Sequence, residues 1–271
     1  MVLSVNTNIG AMVALQHLNM TNAAMDKTQL AITTGLRVNG PKDDASTYAI
    51  AQNMRGDIVG LGAVKTALAN GEAALNTAIT AGQSISDLLT EMKAKVVQAN
   101  QAGLDTASRT ALHNDFVSLR DQISTIVATA AFNGTNLVEA SATGTSVLST
   151  VDGSTIAVSA QKLDSTTLAI QSQVLNTSAG AATALTAIDT AINSVSDKLA
   201  ALGSVAKRIE VQSEFTTKLT DILRAGVGSL VDADMAEESA KLQSLQIKQQ
   251  LGVQALSIAN AGPQSILSLF G

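Results

Sequence analysis

The chain has 271 residues, a formal net charge of −5, no cysteine and only 2% aromatic residues. The mild acidity argues against a nucleic-acid partner, and the scarcity of aromatic side chains argues against a pocketed enzyme. Without cysteine the chain has neither disulfides nor thiolate chemistry. Its first ten residues lack the features of a cleaved signal peptide, and no apolar run approaches the roughly 20 residues of a membrane span. We therefore expect no membrane insertion.

The first hundred residues predict two helices. The first covers about residues 6–34, and Gly35 supplies its stop. Asp43 or Asp44 is the predicted N-cap of the second helix, which continues to about Asn100. At about 1.5 Å per residue the second helix would be on the order of 85 Å long.

A third helix follows the break at Gly103 and Asp105, and a turn is predicted at residues 132–136. The apolar residues on one face of this helix are Leu112, Phe116, Leu119, Ile123 and Ile126.

The middle of the chain, residues 141–178, is rich in Ser, Thr and Gly. Residues 147–151 and 155–159 predict two strands joined around Asp-Gly at 152–153, a good hairpin signal. A third short strand is possible at residues 167–171. A disordered linker is the alternative interpretation of this whole segment.

Helical periodicity returns at about residue 182 and continues towards residue 266. Both long helical segments carry an apolar residue at almost every seventh position, which keeps one seam of a helix against a partner helix. The pattern predicts a mainly α fold of long helical rods with a small β element. The heptad positions are Met54, Leu61, Leu68, Leu75, Gly82, Leu89 and Val96, then Val64, Gly71, Ala78, Ile85 and Met92, and in the second half Ile188, Val195, Leu202, Ile209, Thr216, Leu223 and Leu230.

The terminal helices each carry two apolar stripes on opposite faces. If these helices pair with each other, one stripe on each remains uncovered, and further copies of the chain would cover it. A helix pair buried inside a four-helix bundle is the alternative. Two apolar stripes, rather than one apolar and one basic face, disfavour binding at a membrane surface. The stripes are Ile9, Val13 and Met20 against Leu15, Leu18, Met25 and Ile32, and Ile247, Leu251 and Ile258 against Met235, Leu242, Leu245, Val253 and Leu256.

The sequence contains no catalytic constellation. His17 and His113 are isolated on helices, and no spacing of residues suggests a metal site or a phosphate-binding loop. We therefore expect a protein that is not an enzyme and needs no cofactor.

Several segments resemble signatures of the bacterial flagellin family. Thr-Gly-Leu-Arg-Val-Asn at 34–39 and Lys-Asp-Asp-Ala at 42–45 resemble the N-terminal signature, and Asp-Ala-Asp-Met-Ala-Glu-Glu at 232–238 resembles a C-terminal one. Together the motifs span almost the whole chain in the family's order. Shorter similarities lie at 4–8, 132–134, 259–260, Pro263 and 266–269.

This resemblance implies a long antiparallel coiled-coil rod with a small β-hairpin element. Residues 1–40 and 232–271 would form an inner coiled-coil domain. Residues 41–140 and 180–231 would form a helical rod domain, and residues 141–179 its small β-hairpin element. The short middle implies a flagellin without large outer domains.

The resemblance also implies a function. The chain would be a structural subunit of the extracellular, helical flagellar filament, a passive propeller for motility. It would be exported unfolded without cleavage, and a cytosolic export chaperone would bind its C-terminal helix. Filament cap and hook-junction proteins would be further partners. A hook–filament junction protein of the same architecture is the nearest alternative.

Three sets of residues follow as candidate sites. The assembly interface is predicted at Ile9, Val13, Leu18, Met20, Met25, Ile32, Leu242, Leu245, Ile247, Leu251, Leu256 and Ile258. The hinge residues Lys42, Asp43, Asp44, Asp232 and Asp234 would cap helices or form ion pairs between subunits. The third set is a diverged counterpart of the patch that the vertebrate innate-immune flagellin receptor reads, made of Leu89, Glu91, Lys93, Lys95 and Gln98. There Glu91 replaces an Arg and Lys95 replaces a Leu, so we expect weak receptor activation.

Overall fold

The computed structural model describes residues 7–267, so the motif residues 4–6 and 268–269 lie outside the described part. Five helices and four short strands account for most of the described chain. In order these are α1 (Ile9–Thr34), α2 (Ala45–Ala99), α3 (Thr106–Thr129), β1 (Ala131–Phe132), β2 (Thr135–Asn136), β3 (Thr145–Leu148), β4 (Thr155–Val158), α4 (Ser178–Val231) and α5 (Met235–Leu267).

The helix ends follow local capping chemistry. Gly35 adopts a left-handed conformation with φ of 72°, and its N–H donates to the carbonyl of Ala31, which ends α1 at the predicted residue. Asn8 caps the start of α1, a little later than predicted, and Asp105 caps α3. The helical structure is interrupted at residues 232–234, so the helical pattern predicted to run from 182 to 266 forms two helices, not one.

Two β-hairpins lie where turns were predicted. Asn133 and Gly134 both have positive φ, 48° and 78°, and they connect β1 to β2. Strands β3 and β4 pair antiparallel with Val147 opposite Ile156, which confirms a hairpin here, but β3 covers Thr145–Leu148 rather than the predicted residues 147–151.

The predicted third strand at residues 167–171 is wrong, because this segment forms turns. The Ile170 N–H donates to the Ser165 carbonyl, and the Ser165 hydroxyl donates to Oε1 of Gln171 at 2.6 Å. The linker alternative is also wrong, because the segment buries several apolar side chains. These are Leu163, Leu168, Ile170 and Leu175.

The chain divides into two compact units. The terminal unit comprises Met1–Gly56 and Ile222–Gly271, and the central unit comprises Asp57–Asp221. Helices α2 and α4 contribute residues to both units. The described residues of the two segments predicted to form an inner domain, 7–40 and 232–267, fall in the terminal unit, together with parts of α2 and α4.

The heptad rows form the core of the central unit. A Cβ built on Gly82 would lie 2.7 Å from Leu199 of α4, and Lys93 forms an ion pair with Asp189, so α2 and α4 run antiparallel here. Helix α3 joins the same core through Phe116. The buried heptad residues of α2 and α4 are Leu61, Val64, Leu68, Gly71, Leu75, Ala78, Gly82, Ile85, Leu89, Met92, Val96, Ile188, Val195, Leu202, Ile209 and Thr216.

Candidate assembly surface

Helices α1 and α5 pack against each other antiparallel. Near one end of the pair, Nδ2 of Asn8 donates to the Ala259 carbonyl at 2.7 Å. Further along, Nε2 of Gln249 donates to Oδ1 of Asn22 at 2.8 Å. The N-terminal end of α1 therefore lies against the C-terminal part of α5, as a chain folded back on itself requires.

One face of each helix is covered by the other helix. Leu245 is buried, and Gly252 leaves room for Leu18, whose Cδ1 would lie only 3.2 Å from a Cβ at that position. Six residues of the predicted assembly interface are partly or fully covered and belong to this inner seam of the chain. They are Leu18, Met25, Ile32, Leu242, Leu245 and Leu256.

The opposite faces of α1 and α5 are uncovered. Ile9 is 69% exposed and Ile258 is 73% exposed, which is unusual for side chains of this size. The exposed members of the predicted interface are Ile9, Val13 and Met20 on α1 and Ile247, Leu251 and Ile258 on α5. We call these six residues the outer stripes. Their exposure argues against a four-helix bundle, because no other helix of residues 7–267 covers them.

The predicted stripes did not separate covered from exposed residues completely. Leu15 was placed in the stripe of Leu18, and Met235 and Val253 in the stripe of Leu245, but all three are exposed. Met12 and Leu30 are also exposed and were not singled out. A rotation of 100° per residue does not predict whether a residue near the boundary of two stripes is covered or exposed, because this depends on the position of the partner helix.

Asp43 and Asp44 stabilise the loop that leads into α2. Oδ1 of Asp44 accepts from the backbone N–H groups of Ser46 and Thr47, which makes Asp44 the N-cap. The hydrogen bond from the Thr47 side chain holds the pKa of Asp44 below its ordinary value. Asp43 pairs with Nζ of Lys27 at 2.9 Å, and this contact lowers the pKa of Asp43.

The second half of the hinge lies beside the first. Leu36 and Asp232 form an isolated antiparallel β-bridge, and the Ala233 N–H donates to the Gly35 carbonyl at 2.8 Å. Asp234 caps α5 by accepting from the N–H groups of the two residues that follow Met235. Four of the five hinge residues therefore make contacts within one chain, whereas Lys42 is exposed. The four are Asp43, Asp44, Asp232 and Asp234.

The diverged receptor patch is only partly a surface. Leu89 is fully buried in the core of the central unit, so its inclusion in a surface patch was wrong. Lys93 and Lys95 are held by ion pairs with Asp189 and Asp115, both at 2.7 Å, and the hydrogen bond to Asp115 raises the pKa of Lys95. Glu91 and Gln98 are exposed.

Residues 7–267 contain no group of three or more His, Asp or Glu side chains arranged to hold a metal ion. In the same range, every helix is too short or too polar to cross a membrane.

Comparison with protein families matches both halves of the chain. The profile of the bacterial flagellin N-terminal helical region matches residues 5–143. The profile of the bacterial flagellin C-terminal helical region matches residues 185–270.

Individual proteins are similar over almost the full length. Flagellin FljM of Caulobacter vibrioides is 46% identical over 268 residues, covering 98% of each chain. The flagellin of Brucella melitensis biotype 1 is 37% identical over 282 residues, covering 98% of this chain and 99% of its own.

Two solved structures are similar in fold. The crystal structure of Bacillus cereus flagellin has a TM-score of 0.50 at 26% identity, covering 54% of this chain and 86% of that chain. A putative flagellar hook-associated protein from Vibrio parahaemolyticus has a TM-score of 0.59 at 16% identity, covering 70% of this chain and 100% of that chain. At 16% identity the second likeness shows the fold alone.

Proposed function

The chain belongs to the bacterial flagellin family and is a structural subunit of the extracellular flagellar filament, and we propose that its copies assemble through the outer stripes of α1 and α5. Flagellins are structural proteins and not enzymes. The observation that carries the proposal is the pair of uncovered apolar faces on helices that already cover each other. The fold resemblance to a hook-associated protein does not favour the junction alternative.

The arrangement of the stripes suits a helical polymer. The stripe on α1 and the stripe on α5 are different surfaces, so contact between unlike surfaces of neighbouring copies is heterologous. A heterologous contact that does not close into a ring produces an open helix. Covering residues such as Ile9 and Ile258 removes large apolar areas from water, which favours association.

Substitutions on α5 test this proposal. Leu251 and Gln250 are neighbouring exposed residues, but only Leu251 belongs to the outer stripes. Leu251→Glu places a charge in the proposed interface and is expected to abolish or strongly reduce filament growth from short seeds, as seen by electron microscopy. Gln250→Glu is the matched control and is expected to grow at close to the unsubstituted rate.

Val13 and Asn19 provide the same comparison on α1, where both residues are exposed but Asn19 lies about 100° around the helix from Met20. Val13→Lys is expected to block growth, and Asn19→Lys is expected to permit it. Normal filaments from both Leu251→Glu and Val13→Lys would contradict assembly through these faces.

We further propose that an export chaperone covers the outer stripe of α5 before assembly. Ile247, Leu251 and Ile258 offer an apolar face on one helix, which fits recognition of a helix in a groove. Such a chaperone would bind the unsubstituted chain and lose affinity for Leu251→Glu. Equal affinity for both chains would exclude this site.

Filament cap and hook-junction proteins would contact the same stripes at the ends of the filament.

We also propose that the chain leaves the cell unfolded and without cleavage. The chain's membership of the flagellin family supports this proposal, because the family resemblance implies export without cleavage. Intact mass spectrometry of subunits from filaments tests this. The expected mass is that of the uncleaved chain, near 27.6 kDa. Loss of an N-terminal peptide would contradict the proposal.

A further inference from the structure

The seam between α1 and α5 repeats every seven residues on both helices. All members of four rows are partly or fully covered: Ala11, Leu18, Met25 and Ile32; Ala14, Thr21 and Thr28; Leu242, Gln249 and Leu256; and Leu245, Gly252 and Ala259. Because the rows have the same period, sliding one helix by seven residues replaces most apolar contacts with similar ones. Apolar packing alone therefore does not determine the register of this pair, and the hinge contacts fix it at one end, where the Ala233 N–H donates to the Gly35 carbonyl and Leu36 bridges Asp232.

Gln249 is the one polar member of its row, between Leu242 and Leu256. In the observed register its amide donates to Asn22 at 2.8 Å. A slide of seven residues in either direction would bring Leu242 or Leu256 opposite Asn22 instead. Asn22 would then lose its hydrogen bond in a partly buried seam, and an orphaned amide disfavours the slipped register. Gln249 would come opposite Leu15 in one direction and opposite Gln29 in the other.

Gly252 makes a second, independent distinction between registers. Leu18 packs where a side chain at position 252 would otherwise lie, since a Cβ there would be 3.2 Å from Cδ1 of Leu18. After the same slide Leu18 would face Leu245 or Ala259. The glycine is therefore matched to Leu18 in one register only.

We propose that the hydrogen bond between Asn22 and Gln249 is a register lock for the α1–α5 pair. At about 1.5 Å per residue, a slide of seven residues displaces the outer stripe of α5 by about 10 Å along α1. The lock acts in the middle of the seam as the hinge contacts act at its end, and together they determine which composite surface the pair offers to a second copy of the chain. This consequence for assembly rests on the proposed function, whereas the lock itself does not.

Cysteine pairs can report the register, because the natural chain has no cysteine. A Cβ built on Gly10 lies 3.9 Å from Cβ of Ala259, within the range that a disulfide requires. Gly10→Cys with Ala259→Cys therefore reports the observed register. His17→Cys with Ala259→Cys reports a slide of seven residues in one direction, and Ala24→Cys with Glu238→Cys, which leaves Gly252 in place, reports the opposite slide.

Each reporter is placed in the full-length chain with and without Asn22→Leu and Gln249→Leu, and is oxidised both in solution and in seeded filaments. The matched control is Asn19→Leu with Gln250→Leu, which makes the same chemical changes at exposed positions outside the seam. A swapped pair, Asn22→Gln with Gln249→Asn, retains both amides.

In the chain with natural Asn22 and Gln249, in the swapped pair and in the matched control, only the reporter of the observed register is expected to cross-link. In the chain with both leucines at positions 22 and 249, slipped cross-links are expected to rise about tenfold or more. Exclusive cross-linking in the observed register without the amides would overturn the lock. Slipped cross-links with normal filament growth would support the lock but contradict its role in assembly. Failed growth with unchanged cross-links would contradict the lock and would show only that the substitutions damage the assembly surface.

Discussion

Gly71 of α2 lies directly against Val147 of β3: a Cβ built on Gly71 would be 2.5 Å from Cγ2 of the valine. The hairpin packs onto the helix at this point because the glycine has no side chain. Gly71→Ala is therefore expected to lower the free energy of unfolding by about 1–3 kcal/mol through overpacking, despite the better helix propensity of Ala. Thermal and denaturant unfolding followed by circular dichroism measures this change.

Gly62→Ala is the matched control on the same helix. No atom outside the local helix lies within 4 Å of a Cβ at Gly62. Here the propensity effect acts alone, and the substitution is expected to stabilise the chain by about 0.5–1 kcal/mol. Equal effects of the two substitutions would contradict close packing of the hairpin on α2.

The heptad core makes a second stability prediction. Leu68 is fully buried, so Leu68→Ala removes apolar contacts and leaves a cavity, which is expected to cost about 2–5 kcal/mol. Val59→Ala, at a residue that is 76% exposed on the same helix, is expected to change the free energy of unfolding by less than about 0.5 kcal/mol. Similar losses from both substitutions in chemical denaturation would refute the assignment of the core.

Long-range periodicity was the part of the fold that could be predicted from the sequence. Leu68, Leu75 and Ile85 recur at heptad spacing, and a pattern sustained over so many turns is compatible with few structures. Helix ends were also predictable where one residue determines the geometry, as Gly35 and Asp105 do.

The failures lie where tertiary contacts decide the structure. Residues 167–171 have strand-like alternation, but Leu168 and Ile170 are buried by turns that the Ser165 carbonyl and side chain stabilise. Leu89 was predicted to belong to a surface patch from its place in a sequence motif, although its heptad position already indicated a core residue. The covered face of α5 could not be predicted residue by residue. Val253 and Leu242 lie in the same predicted stripe, and they differ in exposure because of the position of α1.

The hinge carboxylates predict a loss of stability in acid. Asp43 and Asp44 have pKa values lowered by their contacts with Lys27 and Thr47, so the folded state favours their ionised forms. Their contribution is present above about pH 4, the range of an unperturbed carboxyl, and is lost as the pH falls through the lower folded-state values. Asp43→Asn with Asp44→Asn is expected to lower Tm at pH 7 and to have little further effect near pH 2.

Asp152→Asn, in the exposed turn after β3, is the control for this experiment and is expected to change Tm little at pH 7 because the side chain is exposed. A constant difference in Tm between pH 2 and pH 7 would contradict the role of ionised Asp43 and Asp44.

Ion pairs between subunits at the hinge are a separate proposal for the same residues. Replacing Asp43 and Asp44 by Ala is expected to increase the sensitivity of assembled filaments to salt and pH if the carboxylates also contact a neighbouring copy. Disassembly of seeded filaments, followed by light scattering across a salt series, is the measurement. Filaments with unchanged sensitivity would restrict Asp43 and Asp44 to capping within one chain.

The diverged patch predicts weak activation of the innate-immune flagellin receptor. Glu91 is exposed where the family patch has an Arg, and Lys95 is held beside it by Asp115. We expect at least about tenfold lower potency than an enterobacterial flagellin in a cell reporter assay, because the reversed charge opposes like charges in the interface. Glu91→Arg with Lys95→Leu is expected to raise the potency. Equal potency of the unsubstituted chain would refute the prediction.

The central claim, that terminal helices hold the polymer together, is tested most directly by electron microscopy of the purified chain seeded with short filament fragments. The full-length chain is compared with chains that lack residues 1–34 or residues 235–271, which removes α1 or α5. Assembly through the outer stripes predicts long filaments from the full-length chain and none from either truncated chain. Filaments of normal length from a truncated chain, or a folded monomer that never elongates the seeds even at full length, would contradict it.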